Sequence, residues 1–207
     1  MSGKKIILVG YSGHGIVVAD TAFENNLNII GYTEKVINIT NPYNLEYFGN
    51  ESSPEFKGWD IDVAFVLGIG DNSTREKIYN QIIKNGKEII TLINKSSSIS
   101  KVVTIGEGVF INRNVMVNAL SNIGNNVILN TGCIIEHECE INDNVHIAPG
   151  AVLAGNVKVG SGSFIGANSF IKQGVEIGKN VIVGAGTVVL NNISDGSIIV
   201  GNPYRFL

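Results

Sequence analysis

Two hydrophobic periods divide the chain. From Ile105 onward an Ile, Val or Leu recurs every six residues, at Ile105, Ile111, Val117, Ile123, Leu129, Ile135, Ile141, Ile147, Leu153, Val159, Ile165, Ile171, Ile177, Val183 and Val189. These 84 residues make 14 steps of six without an insertion. Four residues after each anchor stands a small or β-branched residue, among them Val109, Ser121, Cys133, Cys139, Ala151 and Ser169. A period of six fits neither a helix nor a simple strand. It fits flat sides of six residues joined by turns, the pattern of a parallel β-helix whose anchors point inward and stack. Three sides per coil turn fifteen hexads into five coils, roughly 24 Å tall at ~4.8 Å per coil. The residue after each anchor is often Gly, Asn or Ala, with Glu136, Lys172 and Leu190 as exceptions. That slot is predicted to hold the unusual backbone angles of the turns.

The first half reads differently. Lys4 to Val9 is a buried strand, followed by the glycine loop Gly10-Tyr11-Ser12-Gly13-His14-Gly15 and a helix from Gly15 to Asn25. Further strands are predicted at 28–32, 61–67 and 87–93, and a second helix at 73–85. Residues 33–60 hold Pro42, Pro54 and several Asn and Ser, and are predicted to be loops with a short strand or helix. Alternating strands and helices imply a small parallel sheet of Rossmann-like α/β type. The polar run Asn94-Lys95-Ser96-Ser97-Ser98 marks the boundary, so domains of 1–94 and 95–207 are expected.

Composition narrows the function. Charged residues are 16% and the net charge is −3, which argues against a nucleic-acid or anionic-membrane partner. No 18-residue apolar run is present, and the N-terminal apolar stretch is too short for a signal peptide, so a cytoplasmic location is expected. Two cysteines make no disulfide framework, and Cys133 and Cys139 both fall in the inward column as packing residues.

Four places can carry chemistry. A glycine loop between strand and helix offers free backbone N–H groups and a helix dipole to a phosphate, or simply packs the two elements. Its spacing is G-x-x-G-x-G, not the dinucleotide G-x-G-x-x-G. Gly68-Ile69-Gly70-Asp71-Asn72 and Thr33-Glu34-Lys35 follow neighbouring strands and are placed to line the same crevice. His137 stands near a coil corner between Glu136 and Glu138, either as a solvated histidine or as a general base oriented by a carboxylate. Its neighbours one coil away, Ala119 and Gly155, are small and predicted to leave space beside the imidazole for a ligand. His146 lies half a coil further on, so the two histidines meet only across a subunit interface. Zinc between subunits, as in gamma-type carbonic anhydrases, needs three histidines where the repeat has two, so no metal is expected.

The repeat resembles the hexapeptide-repeat acyltransferases, whose fold is a left-handed β-helix. The stretches IIEHECEI and HIAPGAVLAGNVKVG, with GYSGHG and GIGDN ahead of them, are similar to the sugar acetyltransferases of the bacillosamine pathway. The sialic acid O-acetyltransferases share that layout. The resemblance implies acetyl-CoA as donor, a nucleotide-linked 4-amino-6-deoxy sugar as acceptor, and a homotrimer with acetyl-CoA between adjacent β-helices. It implies His137 as the base and Glu138 as its partner. His146 of a neighbouring subunit and Asn130 would seat the acetyl group, and the Gly155 N–H would face the thioester oxyanion. Acetyl-CoA contacts would include Gly166, Ala167, Ala185 and Arg205. The nucleotide sugar would contact Ser12, Gly13, His14, Gly15, Glu34, Lys35, Gly70, Asp71 and Asn72. The family usually carries an Asp-Asp pair after the second strand, where Thr33-Glu34-Lys35 stands here, so the base identity is left open. No Ser or Cys nucleophile is indicated beside His137, which favours direct transfer. The alternatives are O-acetylation of a sialic acid or related sugar, and a non-catalytic nucleotide-sensing or scaffold trimer.

Overall fold

The computed structural model describes residues 3–207. The chain forms two compact units, Met1–Asn94 and Lys95–Leu207.

The first unit holds β1 (Lys5–Val9), α1 (Gly13–Glu24), β2 (Asn28–Thr33), β3 (Glu46–Tyr47), β4 (Ala64–Leu67) and α2 (Asn72–Lys84). The strands run parallel in the order β3-β2-β1-β4. Ile6, Ile7, Leu8 and Val9 are all buried, as a parallel sheet covered on both faces requires. Ile7 and Val9 join Phe65, Leu67, Ile78 and Ile82 in one core cluster, while Val18, Ala19 and Ala22 are the buried positions of α1.

Three expectations change here. First, α1 begins at Gly13, two residues early, because extended Ser12 is its N-cap and accepts the Ile16 N–H at 2.9 Å. The loop after β1 is therefore only Gly10 to Ser12. Second, β4 starts at Ala64, and Ile61 is 38% exposed. Third, the strand expected at 87–93 is reduced beside β4 to a single bridge between Phe65 and Ile89. Glu88 and Ile90 together satisfy both backbone groups of Phe65.

The second unit is a parallel β-helix of two-residue strands, from Ser98–Ile99 to Val188–Val189, one every six residues. Each pairs with the strand 18 residues away, as in Asn122↔Glu140, Ile128↔His146 and Ile134↔Val152. Of the fifteen anchors, Ile105 is partly exposed and the rest are buried. Cys133 and Cys139 lie in the buried inner column, and burial pushes the Cys133 thiol up to about 12.

The turn slot is corrected by the backbone. Positive φ falls three residues after the anchor, not one, at Asn114, Asn126, Asn144, Asn156, Asn168 and Asn180 and at glycines such as Gly108, Gly132 and Gly150. The slot directly after the anchor is small for another reason: neighbouring coils touch there. A Cβ on Gly160 would lie 2.5 Å from the backbone carbon of Gly178.

Outward-facing residues differ by side. One row reads Thr104, Asn122, Glu140, Lys158, Glu176; another reads Met116, Ile134, Val152, Phe170, Val188. Among the described residues no helix is long and apolar enough to cross a membrane.

Candidate active site

The strongest catalytic geometry is on the corner that follows Ile134–Ile135. His137 Nδ1 lies 2.9 Å from Glu138 Oε2, with the two side chains 52% and 56% exposed. A carboxylate only accepts, so the ring proton sits on Nδ1 and the Nε2 lone pair is left for chemistry. A Cβ on Gly155 would lie 2.5 Å from both His137 Cε1 and His137 Nε2. Gly155 is therefore small because the imidazole itself packs over it.

Glu138 takes up this position at φ 62, and Leu120, one coil earlier, at φ 65. Every other residue of the turn column from Gly108 to Gly186 with positive φ is Asn or Gly. Left-handed backbone costs about 1 kcal/mol for an ordinary side chain. Such strain concentrates at functional sites.

A second group occupies a different corner, after the strands of the Ile128–Leu129 side. Asn130 Nδ2 lies 3.2 Å from His146 Nε2, and the His146 ring meets Phe164 edge-on at 5.1 Å. His146 is only 7% exposed. Gly166 lies on the same corner against the next coil, where its Cβ would stand 2.6 Å from Ala185 N. Ala167 and Ala185 are stacked neighbours 18 residues apart, and the Gly186 N–H donates to Ala167 O at 2.7 Å. Arg205 lies at the chain's end in an exposed antiparallel pair with Val200. One chain therefore places His137, Glu138 and Gly155 on one edge and Asn130, His146, Gly166, Ala167 and Ala185 on another.

The first unit has a cavity of about 330 Å³ at the carboxyl ends of β1, β2 and β4, where a parallel sheet usually binds ligands. Ser12, Glu34, Lys35, Gly70 and Asp71 line it; Gly13, His14, Gly15 and Asn72 do not. Glu34 ties the strand ends together, accepting the Tyr11 N–H at 3.1 Å and the Lys35 N–H at 3.1 Å. Asp71 caps α2 by accepting the Thr74 N–H at 2.8 Å, and hydrogen bonds from the Thr74 side chain, the Thr74 backbone and the Ser73 side chain hold its pKa below the usual value. Gly15 serves packing: a Cβ there would stand 2.1 Å from Gly10 O. Buried Thr33 Oγ1 has no hydrogen-bond partner at the rim of this cavity.

Arg75 was not singled out by sequence. It is 1% exposed, and its guanidinium donates to Gly70 O at 3.2 Å and Asn72 Oδ1 at 3.0 Å, holding the 68–72 loop from beneath. Burial lowers its pKa to about 10, so it stays charged. Burial, then the Arg75 charge, lowers His14 to about 4, so His14 is a neutral side chain near pH 7. The available signal was a cation near the start of a helix, where the macrodipole disfavours it. Among the described residues no three His, Cys, Asp or Glu side chains could hold a metal.

A β-helix carrying a histidine–carboxylate corner, preceded in the chain by a Rossmann-like unit, is the arrangement that the comparisons with known proteins address. Residues 5–82 match the PglD N-terminal domain family, and residues 121–155 and 156–191 match the bacterial transferase hexapeptide family of six repeats. Each unit thus carries a match to one of these families, and the chain is similar to sugar acetyltransferases that contain them. It is 31% identical over 115 residues to the UDP-N-acetylbacillosamine N-acetyltransferase of Bacillus subtilis, covering 52% of this chain and 51% of that protein. The match thus spans about half the length of that curated relative. A mutant GDP-perosamine N-acetyltransferase from Caulobacter crescentus, solved with CoA and GDP-perosamine, superposes with a TM-score of 0.93 at 27% identity, covering 99% of this chain and 97% of that one. The acetyltransferase domain of PglB from Neisseria gonorrhoeae, solved with acetyl coenzyme A, gives 0.89 at 29% identity with 99% of each chain covered.

Proposed function

We propose that the protein transfers the acetyl group of acetyl-CoA to the amine of a nucleotide-linked amino sugar. The observation that carries this reading is the His137–Glu138 pair, whose 2.9 Å contact leaves Nε2 as the base. The neutral amine attacks the thioester carbonyl carbon, and its proton passes to His137 Nε2. The tetrahedral intermediate collapses, the carbon–sulfur bond breaks, and the CoA thiolate leaves with that proton. The Gly155 N–H faces the oxyanion in this reading. Glu138 holds the ring orientation and stabilises the imidazolium while it lasts.

The nucleotide belongs in the cavity above β1, β2 and β4, with Glu34, Lys35, Gly70 and Asp71 around it. The site is completed by a second copy, because the His137 and His146 edges of one chain are separate. A homotrimer, packed on the apolar Met116-to-Val188 row, brings such edges together. The relatives named above act on, or were solved with, amino sugars and CoA, and this supports an amine acceptor.

The test is thiol release from acetyl-CoA with UDP- and dTDP-linked and GDP-linked 4-amino sugars and with free and CMP-linked sialic acid, each with wild type and His137→Ala. Release with one nucleotide amino sugar, reduced about 100-fold or more in His137→Ala, is expected. Release only with sialic acids moves the acceptor to a hydroxyl. Lack of CoA binding leaves a sensing or scaffold role.

A further inference from the structure

The loop after β4 is held from behind by a buried cation and faces a cavity in front. Arg75 Nη1 donates to Ile69 O at 3.4 Å and to Gly70 O at 3.2 Å, and Nη2 donates to Asn72 Oδ1 at 3.0 Å. Ile69, Gly70 and Asp71 line the cavity of about 330 Å³ and Arg75 does not, so the loop stands between the guanidinium and the cavity. Among the described residues the one cis peptide bond is Asn202–Pro203, so the bonds of this loop are trans. A trans peptide points its C=O and N–H in opposite directions. With the Ile69 and Gly70 carbonyls turned back to Arg75, the Gly70 and Asp71 N–H groups turn forward, to the cavity side. Successive N–H groups arranged in this way cradle an anion. The guanidinium behind them adds a positive charge that salt and water screen little, because Arg75 is 1% exposed.

The other end of the cavity differs. β2 and β4 flank β1, so Thr33 and Glu34 stand about 10 Å from the 69–71 loop, two strand spacings away. Thr33 lines the cavity and is fully buried, and among the described residues its hydroxyl has no hydrogen-bond partner. Such a group is costly until a ligand pairs with it. The Glu34 carboxylate beside it accepts from ribose or base donors and repels phosphate. Lys35, the other cation on this cavity, is exposed, so its charge is screened. The Asp71 carboxylate is taken up by the first turn of α2, where Oδ1 accepts the Ser73 hydroxyl and the Thr74 N–H. We infer that Arg75 is a positioning residue for the diphosphate of the nucleotide: it turns the Gly70 and Asp71 N–H groups into the cavity and backs them with charge, while the nucleoside lies at the Thr33–Glu34 end. This rests on the reading of the cavity as the nucleotide site. Arg75 itself acts through the loop.

The experiment uses the full chain without acetyl-CoA. GDP, UDP and dTDP, and the nucleoside of each, are titrated by calorimetry, while backbone amide NMR follows Gly70 and Asp71. In wild type the diphosphate that binds is expected to do so about tenfold or more tighter than its nucleoside. It is also expected to move the Gly70 and Asp71 amide protons, which the nucleoside leaves in place. Arg75→Gln keeps an NH2 donor for the loop carbonyls and removes the charge. It is expected to erase the tenfold gain and to change nucleoside binding less than about twofold. Thr33→Val removes the hydroxyl at constant shape and is expected to weaken nucleoside and diphosphate alike, by about fivefold. A folded Arg75→Gln that loses both ligands equally, or neither, overturns the inference. So does a Thr33→Val that loses only the diphosphate gain, since the orientation is then reversed. Gly70 and Asp71 amides that stay in place under a bound diphosphate overturn it in wild type, whether or not the variants fold. Wild type that binds none of the three diphosphates overturns the nucleotide reading as well, which separates the two failures.

Discussion

At the scale of the residue, the candidate active corner is defined by backbone angle as much as by side-chain chemistry. Leu120 and Glu138 stand in a column otherwise filled, at positive φ, by Asn and Gly. Glu138 has a reason to be there, since its carboxylate holds the His137 ring. Leu120, 61% exposed, gains little burial in exchange for its strain. Leu120→Asn is therefore expected to raise stability by about 1 kcal/mol. Urea denaturation of the two proteins checks this, and an unchanged or lower midpoint would mean that Leu120 is held by contacts worth more than the strain. The hexad count alone could pick out residue 138 as unusual, for it is the acidic member of an Asn/Gly column. The imidazole's place over Gly155 was not legible, because which way a corner side chain turns depends on the coil above it.

At the scale of the element, the β-helix and the α/β unit are set by different constraints. The six-residue period dictates the coils, since an insertion would move every later anchor out of the interior. The α/β unit depends on close approach at one crossing. Gly10, Gly15 and Gly68 meet where α1 begins, and a Cβ on Gly15 would lie 2.1 Å from Gly10 O. Backbone cannot yield there as the end of a side chain can. Gly15→Ala is expected to destabilise the first unit by about 3 kcal/mol or more, and to abolish nucleotide-sugar binding while the β-helix stays folded. Protease mapping with calorimetric titration measures both effects; full binding by Gly15→Ala would show that the crossing relaxes. The family resemblance places Gly15 among ligand contacts, whereas the pattern alone leaves a glycine loop before a helix two uses. Only the approach of the carbonyl separates them.

At the scale of the whole molecule, the outward rows carry a message that the inward anchors do not. Thr104 to Glu176 is polar, and Lys158 stands 3.7 and 3.8 Å from Glu140 and Glu176. These pairs are exposed and add little stability. The Met116 to Val188 row is apolar, with Met116 44% and Phe170 40% exposed, as expected of a surface that a second copy covers. On the proposed trimer and acetyl transfer, Val152→Asp, in the middle of that row, is expected to leave a single 22.1 kDa chain without transfer activity and with the coil fold intact. Sedimentation equilibrium and circular dichroism together decide this. An active single-chain species would refute the composite site. This 18-residue alternation of polar and apolar rows is present in the sequence, one position before each anchor, and reading only the inward columns passed over it.

What the sequence determined by itself is the repeat, its inward ladders and the order of strands and helices, because periodicity and burial are local to the chain and repeat without interruption. It also placed His137 near a coil corner between Glu136 and Glu138, where spacing alone left a solvated and a catalytic reading both open. Tertiary structure alone decided the contact of the His137 ring with Glu138 and over Gly155, the place of Arg75 beneath the 68–72 loop and the separation of His137 and His146 onto two edges. Each of these depends on groups brought together from different coils or elements. No pattern of residue types states which groups those will be.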